Sequence, residues 1–291
     1  MPRQIIRPTT VLRGRGLHGG CPSAVQLFPA RTGEGIHFVL SSDPSSRVAA
    51  LLCFARSCER RTVLRSGAAQ VSTVEHLLAA LGGLGIWDAQ VRLEGTELPG
   101  LDGSAAPFVR ALLDASCPAP PPRAVWRVIR PFLKVADRAS CHLLPWHGAR
   151  IDCSIRFAQP SIGRQHATFS DRREDLFISR FAPARTFGLR NEAQQLVRRG
   201  LARGATLRSV VVFDRDRVLN PGGTRFVDEP VRHKLVDALG DLTLLGGPLE
   251  ARVRLERASH RLVIATLRQA VATGALQLCR CHSGCTPDRT P

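Results

Sequence analysis

The stretch at residues 75–84 recurs in altered form at residues 233–242, and this recurrence restricts the architecture more than any other feature of the chain. Setting Glu75 against His233 pairs Leu77 with Leu235, Leu78 with Val236, Ala80 with Ala238, Leu81 with Leu239, Gly82 with Gly240 and Leu84 with Leu242. Apolar positions at this spacing mark a helix. We read the match as the trace of an internal duplication. Two copies of one subdomain, each lending a helix to a shared cleft, account for the wide separation in sequence of the polar residues that the two stretches carry.

Those polar residues have the makings of one metal site. On a helix, His233 and Asp237 stand at i and i+4 on one face, and His76 adds a third nitrogen or oxygen donor. Three such donors with a fourth position left open describe a hydrolytic zinc site, Zn2+ being the cofactor expected, and not a closed structural one. Glu75, beside His76, is the natural base for a proton leaving zinc-activated water. Plainer readings fit the same residues. Glu75 stands three residues after Ser72, as in a capping box, and His233 with Asp237 matches an ordinary solvated helix pair.

At 291 residues with 44% hydrophobic content, the chain can bury a substantial core and is long enough to favour two domains. Clustered prolines at 116–123 cannot continue a helix or join a sheet interior, which sets a first domain at 1–122 and a second at 123–273. The N-terminal segment lacks the apolar core of a signal peptide, and no run approaches the roughly 18 apolar residues of a membrane span. A cytosolic protein acting as a monomer is expected. Nine cysteines, an odd number without framework spacing, suit reduced thiols in that compartment. Cys279, Cys281, His282 and Cys285 crowd together like a metal knuckle. The loss of apolar periodicity after Leu278, with Pro287 and Pro291 close behind, favours instead a disordered tail over 274–291.

The formal net charge of +17 attracts nucleic acid, anionic lipid or a phosphorylated small molecule. The basic residues are spread along the chain, however, and an aromatic content of 5% offers little for stacking single-stranded bases. A small anionic substrate is therefore preferred, and no nucleic-acid partner is expected.

Period-2 alternation predicts strands at 89–94, 126–135, 151–157 and 209–213, and a hairpin from 252–255 with 259–262. Helices are predicted from Ser104, as a cap, to about Ala115 with Pro107 in the first turn, and at 191–199, 229–245 and 263–272. Sheets and helices mix in both halves, so the class is α+β.

At this point six ordered motifs bear on identity: Val71-Ser72-Thr73-Val74-Glu75-His76-Leu77, Leu101-Asp102-Gly103-Ser104-Ala105-Ala106-Pro107-Phe108, Arg185-Thr186-Phe187-Gly188, Val218-Leu219-Asn220, Val231-Arg232-His233-Lys234 and Asp237-Ala238-Leu239-Gly240-Asp241-Leu242. In this order they resemble the UDP-3-O-acyl-N-acetylglucosamine deacetylase family, zinc enzymes of lipid A synthesis in Gram-negative bacteria, over residues 3–271. The resemblance implies two similar domains, each a sheet packed on helices with a small insert, enclosing the active site between them. It implies hydrolysis of the N-acetyl group of a UDP-linked acylated amino sugar.

By the same resemblance, His76, His233 and Asp237 bind Zn2+, Glu75 is the general base, and His260 protonates the departing amine. Thr186 stabilises the oxyanion, and Asp241 pairs with His260 to keep it charged. Lys234, Phe187 and His18 match substrate contacts, and Phe157 matches an aromatic that stacks on uracil. The region of Leu196, Leu201, Leu207, Val210 and Val212 corresponds to an insert lining a tunnel for the acyl group, although core packing explains these residues as well. One departure stands out: Arg156 occupies a place where the family usually has an acid. Two rival readings stay open, a zinc amidohydrolase acting on another acylated sugar and a basic nucleic-acid-binding protein.

Overall fold

The computed structural model describes residues 2–171 and 173–281. In the first half, five strands form a sheet in the order Leu12–Arg15, Pro22–Phe28, Ala89–Glu94, Ile36–Leu40, Asp43–Ala49. Neighbours are antiparallel except Ala89–Glu94 with Ile36–Leu40, which are parallel. Helix α1 (Glu75–Gly83) precedes the central strand Ala89–Glu94, and α2 (Ala106–Ala115) follows it. A three-stranded insert, Ala55–Cys58, Arg61–Ser66 and Ala69–Ser72, leads into α1.

The second half holds a seven-stranded sheet. Five of its strands run in the order Phe132–Ala136, Ala139–Leu144, Leu249–Glu256, Ala149–Arg156, Arg164–Ser170; Leu249–Glu256 pairs in parallel both with Ala149–Arg156 and, at its start, with Ala124–Val128, which carries the seventh strand, Leu276–Arg280, on its other edge. Between strands and closing helices stand a short α3 (Glu174–Leu176) that runs into a π-helical turn, and an insert made of α4 (Arg190–Arg198) with the parallel pair Phe187–Leu189 and Val211–Phe213. Helices α5 (Glu229–Thr243) and α6 (His260–Ala272) then bracket the central strand Leu249–Glu256.

Helix α1 is buried from Glu75 to Leu81, and the apolar character around its whole circumference is what such burial requires. It packs along α5, and the two aligned glycines sit at the crossing. A Cβ on Gly240 would lie 2.2 Å from the carbonyl oxygen of Glu75, and one on Gly82 would lie 2.2 Å from Thr243 Oγ1. One apolar cluster spans both halves, including Phe38, Leu77 and Leu81 with Val236, Leu239 and Val253. No helix among the described residues is long and apolar enough to cross a membrane.

The α+β class holds, while several local expectations are corrected. The single strand expected at 126–135 is two, Ala124–Val128 and Phe132–Ala136, broken at Pro131, which has no N–H to give to a ladder. The expected hairpin partner at 259–262 is instead the first turn of α6. Ser259 caps that helix by accepting from Leu262 N, and Leu249–Glu256 finds its partners in Ala139–Leu144 and Ala149–Arg156. The disordered tail expected from 274 gives way at Leu276–Arg280 to a strand antiparallel to Ala124–Val128. His282 and Cys285 of the expected knuckle lie outside the described residues. The capping box does not form: α1 has Val74 at its N-cap with no side-chain bond, and Glu75 Oε2 instead accepts from Thr62 N at 3.0 Å.

Candidate active site

Helices α1 and α5 bring His76, His233 and Asp237 together, each buried, with one donor atom from each within 4.8 Å of the others. His233 Nε2 lies 3.3 Å and His76 Nε2 lies 3.7 Å from Asp237 Oδ1. The carbonyl of Ala184 can only accept, so His233 Nδ1, 3.0 Å away, carries the proton and Nε2 keeps its lone pair toward Asp237. Burial lowers both imidazoles, His76 to about 3, which leaves them neutral and able to donate. Burial would raise Asp237, yet Lys234 Nζ at 2.8 Å and the charged His260 imidazole hold it well below the usual carboxylate range. Two neutral imidazoles and one ionised carboxylate form a donor set that suits zinc.

Beside this cluster stand two groups held in opposite states. Burial pushes Glu75 up to about 7. For His260, burial works downward, but the Asp241 carboxylate bonded to Nδ1 at 2.7 Å outweighs it and raises the imidazole to about 9. Asp241 in turn accepts from Thr62 Oγ1 at 2.7 Å, so Thr62 serves both Glu75, through its backbone, and the Asp241–His260 pair, through its hydroxyl. Thr62 was missed in the sequence, because nothing in an insert strand signals contacts made only in the folded chain.

Of these groups His233, Asp237 and His260 line a cavity of about 680 Å³. Thr186, Lys234, His18, Phe187 and Phe157 all line it, as do Leu196, Leu207, Val210 and Val212, whereas Leu201 is buried in the protein and does not. Phe157 and Phe187 meet edge to face at 5.5 Å. His18 is buried, and neither ring nitrogen has a partner among the described residues; burial, then Arg61, lowers it to about 4. Arg60, also unforeseen, lines the cavity and pairs with Glu192 of α4. Arg156 is exposed, with its side chain away from the cavity-lining set.

The remaining motifs build the frame. Gly103, at φ 81°, has Ser209 O 1.8 Å from where a Cβ would stand, and its carbonyl accepts from Thr186 N at 2.7 Å. Asp102 Oδ1 holds Ser104 through N and Oγ at 3.1 and 2.8 Å. Asn220 ties the insert by accepting from Val212 N and donating to the carbonyls of Leu207 and Val210. Arg185 grips Glu229 of α5 at 2.9 Å, which seats the Thr186 segment on the helix of His233.

Residues 3–272 match the profile of the UDP-3-O-acyl N-acetylglycosamine deacetylase family. A UDP-3-O-acyl-N-acetylglucosamine deacetylase of Bdellovibrio bacteriovorus is 36% identical over 271 residues, 92% of this chain and 89% of that protein. Enzymes of the same name from Myxococcus xanthus and Nitratidesulfovibrio vulgaris are 38% identical over 266 residues and 37% identical over 280, covering 90% and 96% of this chain and 83% and 90% of theirs. A match over nearly the whole length, joined to relatives of this closeness, places the chain in the UDP-3-O-acyl N-acetylglycosamine deacetylase family.

Proposed function

We propose that the protein hydrolyses the N-acetyl group of UDP-3-O-acyl-N-acetylglucosamine in lipid A biosynthesis, releasing acetate, with zinc as its metal. One observation carries the reading: a three-donor cluster, a raised carboxyl and a protonated imidazole meet beside a largely apolar cavity in a chain of this family. His76, His233 and Asp237 would hold the zinc, which supplies Lewis acidity toward the acetamide carbonyl and water.

The chain's own residues do the rest. Glu75, held by Thr62 N, takes the proton from the attacking water. The Thr186 hydroxyl donates to the oxyanion as the carbonyl becomes tetrahedral. His260, kept charged by Asp241, gives its proton to the departing amine, which would otherwise leave as an unstable anion. Lys234, Phe187, His18 and Phe157 bind the sugar and UDP side, and the wall of Leu196, Leu207, Val210 and Val212 receives the acyl chain, which gains from leaving water.

We also infer that the two halves are copies. A like order of five strands in each sheet, a parallel pair in the same place and the helix on either side of the central strand support this, the second sheet adding Ala124–Val128 and Leu276–Arg280, with boundaries at 1–122 and 123–273 and the site between them. A cytosolic monomer suits the expected substrate. The rival amidohydrolase reading is decided by comparing acetate release from the UDP-linked substrate and from the same acylated sugar without UDP. The proposal expects a large preference for the first; equal rates would favour the rival.

A further inference from the structure

Glu97 carries charge into the site's framework without contacting the metal cluster. Its carboxylate accepts from His18 N at 2.7 Å, from Gly19 N at 2.7 Å and from Thr73 Oγ1 at 2.9 Å. Three bonds to one ionised acceptor are the strong kind. The carboxylate is half-buried and closely approached: a Cβ on Gly16 would lie 2.3 Å from Oε2, so glycine there lets the loop come up against the oxygen. Its backbone is fixed too, since Ser23 Oγ donates to the Glu97 carbonyl at 2.6 Å and Ser72 bridges to Glu97 in parallel fashion.

The two segments joined by this carboxylate both lead into the cavity. Thr73 stands at φ 59°, a left-handed conformation that a β-branched residue rarely adopts. It immediately precedes Val74, the N-cap of α1, so this turn sets the direction in which α1 delivers Glu75 and His76. On the other side, the His18 ring has no hydrogen-bond partner of its own among the described residues. Its place in the cavity wall therefore depends on its backbone, which is held by Glu97 at N and by Arg203 N, 3.1 Å from the His18 carbonyl.

We propose that Glu97 is a positioning residue: its carboxylate clamps the His18 loop to Thr73 and so holds His18 in fixed register with the start of α1. The proposal rests on reading the cavity as the deacetylase site. It acts through backbone and hydroxyl donors, so Glu97 itself need touch no substrate.

Glu97→Gln in the full-length zinc-loaded protein is the test, because the amide keeps the size of the side chain but removes its charge and sets an N–H against the N–H of Gly19 in one orientation or of His18 in the other. Zinc content, KM and kcat are measured with the His18 ring resonance in histidine-labelled protein, assigned by its loss in His18→Ala. The expected result is a KM raised about tenfold with kcat changed much less, as for lost substrate positioning, a shifted or broadened His18 resonance, and zinc content unchanged. In a His18→Ala background the same substitution should add little. An unchanged KM and His18 resonance, or an equal loss in both backgrounds, would overturn the clamp and leave Glu97 a purely structural residue. Should Glu97→Gln fail to fold, Thr73→Val removes one bond and is expected to move both readouts less, in the same direction; no movement overturns the proposal. A wild-type protein inactive on the UDP-linked substrate would refute the deacetylase reading, and the His18 resonance would then decide the clamp by itself.

Discussion

Glu75 and His260 lie beside the same cluster, and what separates them is one carboxylate. For Glu75, burial outweighs the His260 imidazolium and, after it, the nearby backbone N–H groups including that of Thr62, whereas His260 has Asp241 bonded to its ring. A base raised toward neutrality and an acid raised above it give a rate that climbs as Glu75 ionises and falls as His260 loses its proton. A zinc cation beside both groups favours the ionised carboxyl and disfavours the imidazolium, so the limbs of the loaded enzyme lie below about 7 and about 9. Asp241→Asn removes the charge that raises His260 and leaves burial to lower it; the alkaline limb of a kcat/KM profile should move to lower pH, with zinc content near normal. A limb that stays in place would remove Asp241 from the acid's control. Glu75→Gln should keep its zinc yet lose roughly 10²–10⁴-fold in turnover, the usual share of general-base assistance. Full turnover at unchanged metal content would leave that carboxyl without a chemical role.

At the scale of elements, the helix crossing is where packing and chemistry meet. Gly240 faces the backbone of Glu75, which cannot rotate away, while Gly82 faces the Thr243 side chain, which can. Gly240→Ala should therefore cost on the order of 1–3 kcal/mol from overpacking, less the roughly 1 kcal/mol that alanine gains in a helix, and should displace Glu75 with a drop in turnover. Gly82→Ala should cost less on both counts. Denaturant titrations and rates of the two variants check this, and a Gly240→Ala protein as stable and active as the parent would contradict it.

What was legible in the chain follows the same division. The i, i+4 spacing of His233 and Asp237 is local, so helix geometry alone puts these two on one face, whereas their meeting with His76 joins two helices remote in sequence. The turn at 259–262 misled because polar and apolar residues alternate there as they do in a strand, although Ser259 before an apolar run was itself a helix-start signal. Leu276–Arg280 and the role of Thr62 exist only through pairing with residues remote in sequence, for which periodicity carries no information. The parallel strand at the centre of each sheet was hidden for that reason too.

Taken whole, the molecule packs helix α1 of its first half along α5 of its second, and His76, His233 and Asp237 meet where they cross. The proposed ligand set draws on both helices, so the proposed site needs both halves of the chain. The formal charge of +17 suits a substrate bearing a diphosphate, although many arginines are engaged elsewhere in ion pairs such as Arg127 with Glu250 and Arg252 with Asp152. The most direct test of the account is to strip the full-length protein of metal, titrate zinc back, and follow acetate released from UDP-3-O-acyl-N-acetylglucosamine against zinc bound. The account predicts activity rising in proportion to zinc and levelling at one ion per chain, with His233→Ala neither binding that ion nor releasing acetate; full activity in the metal-free protein, or in His233→Ala, would contradict it.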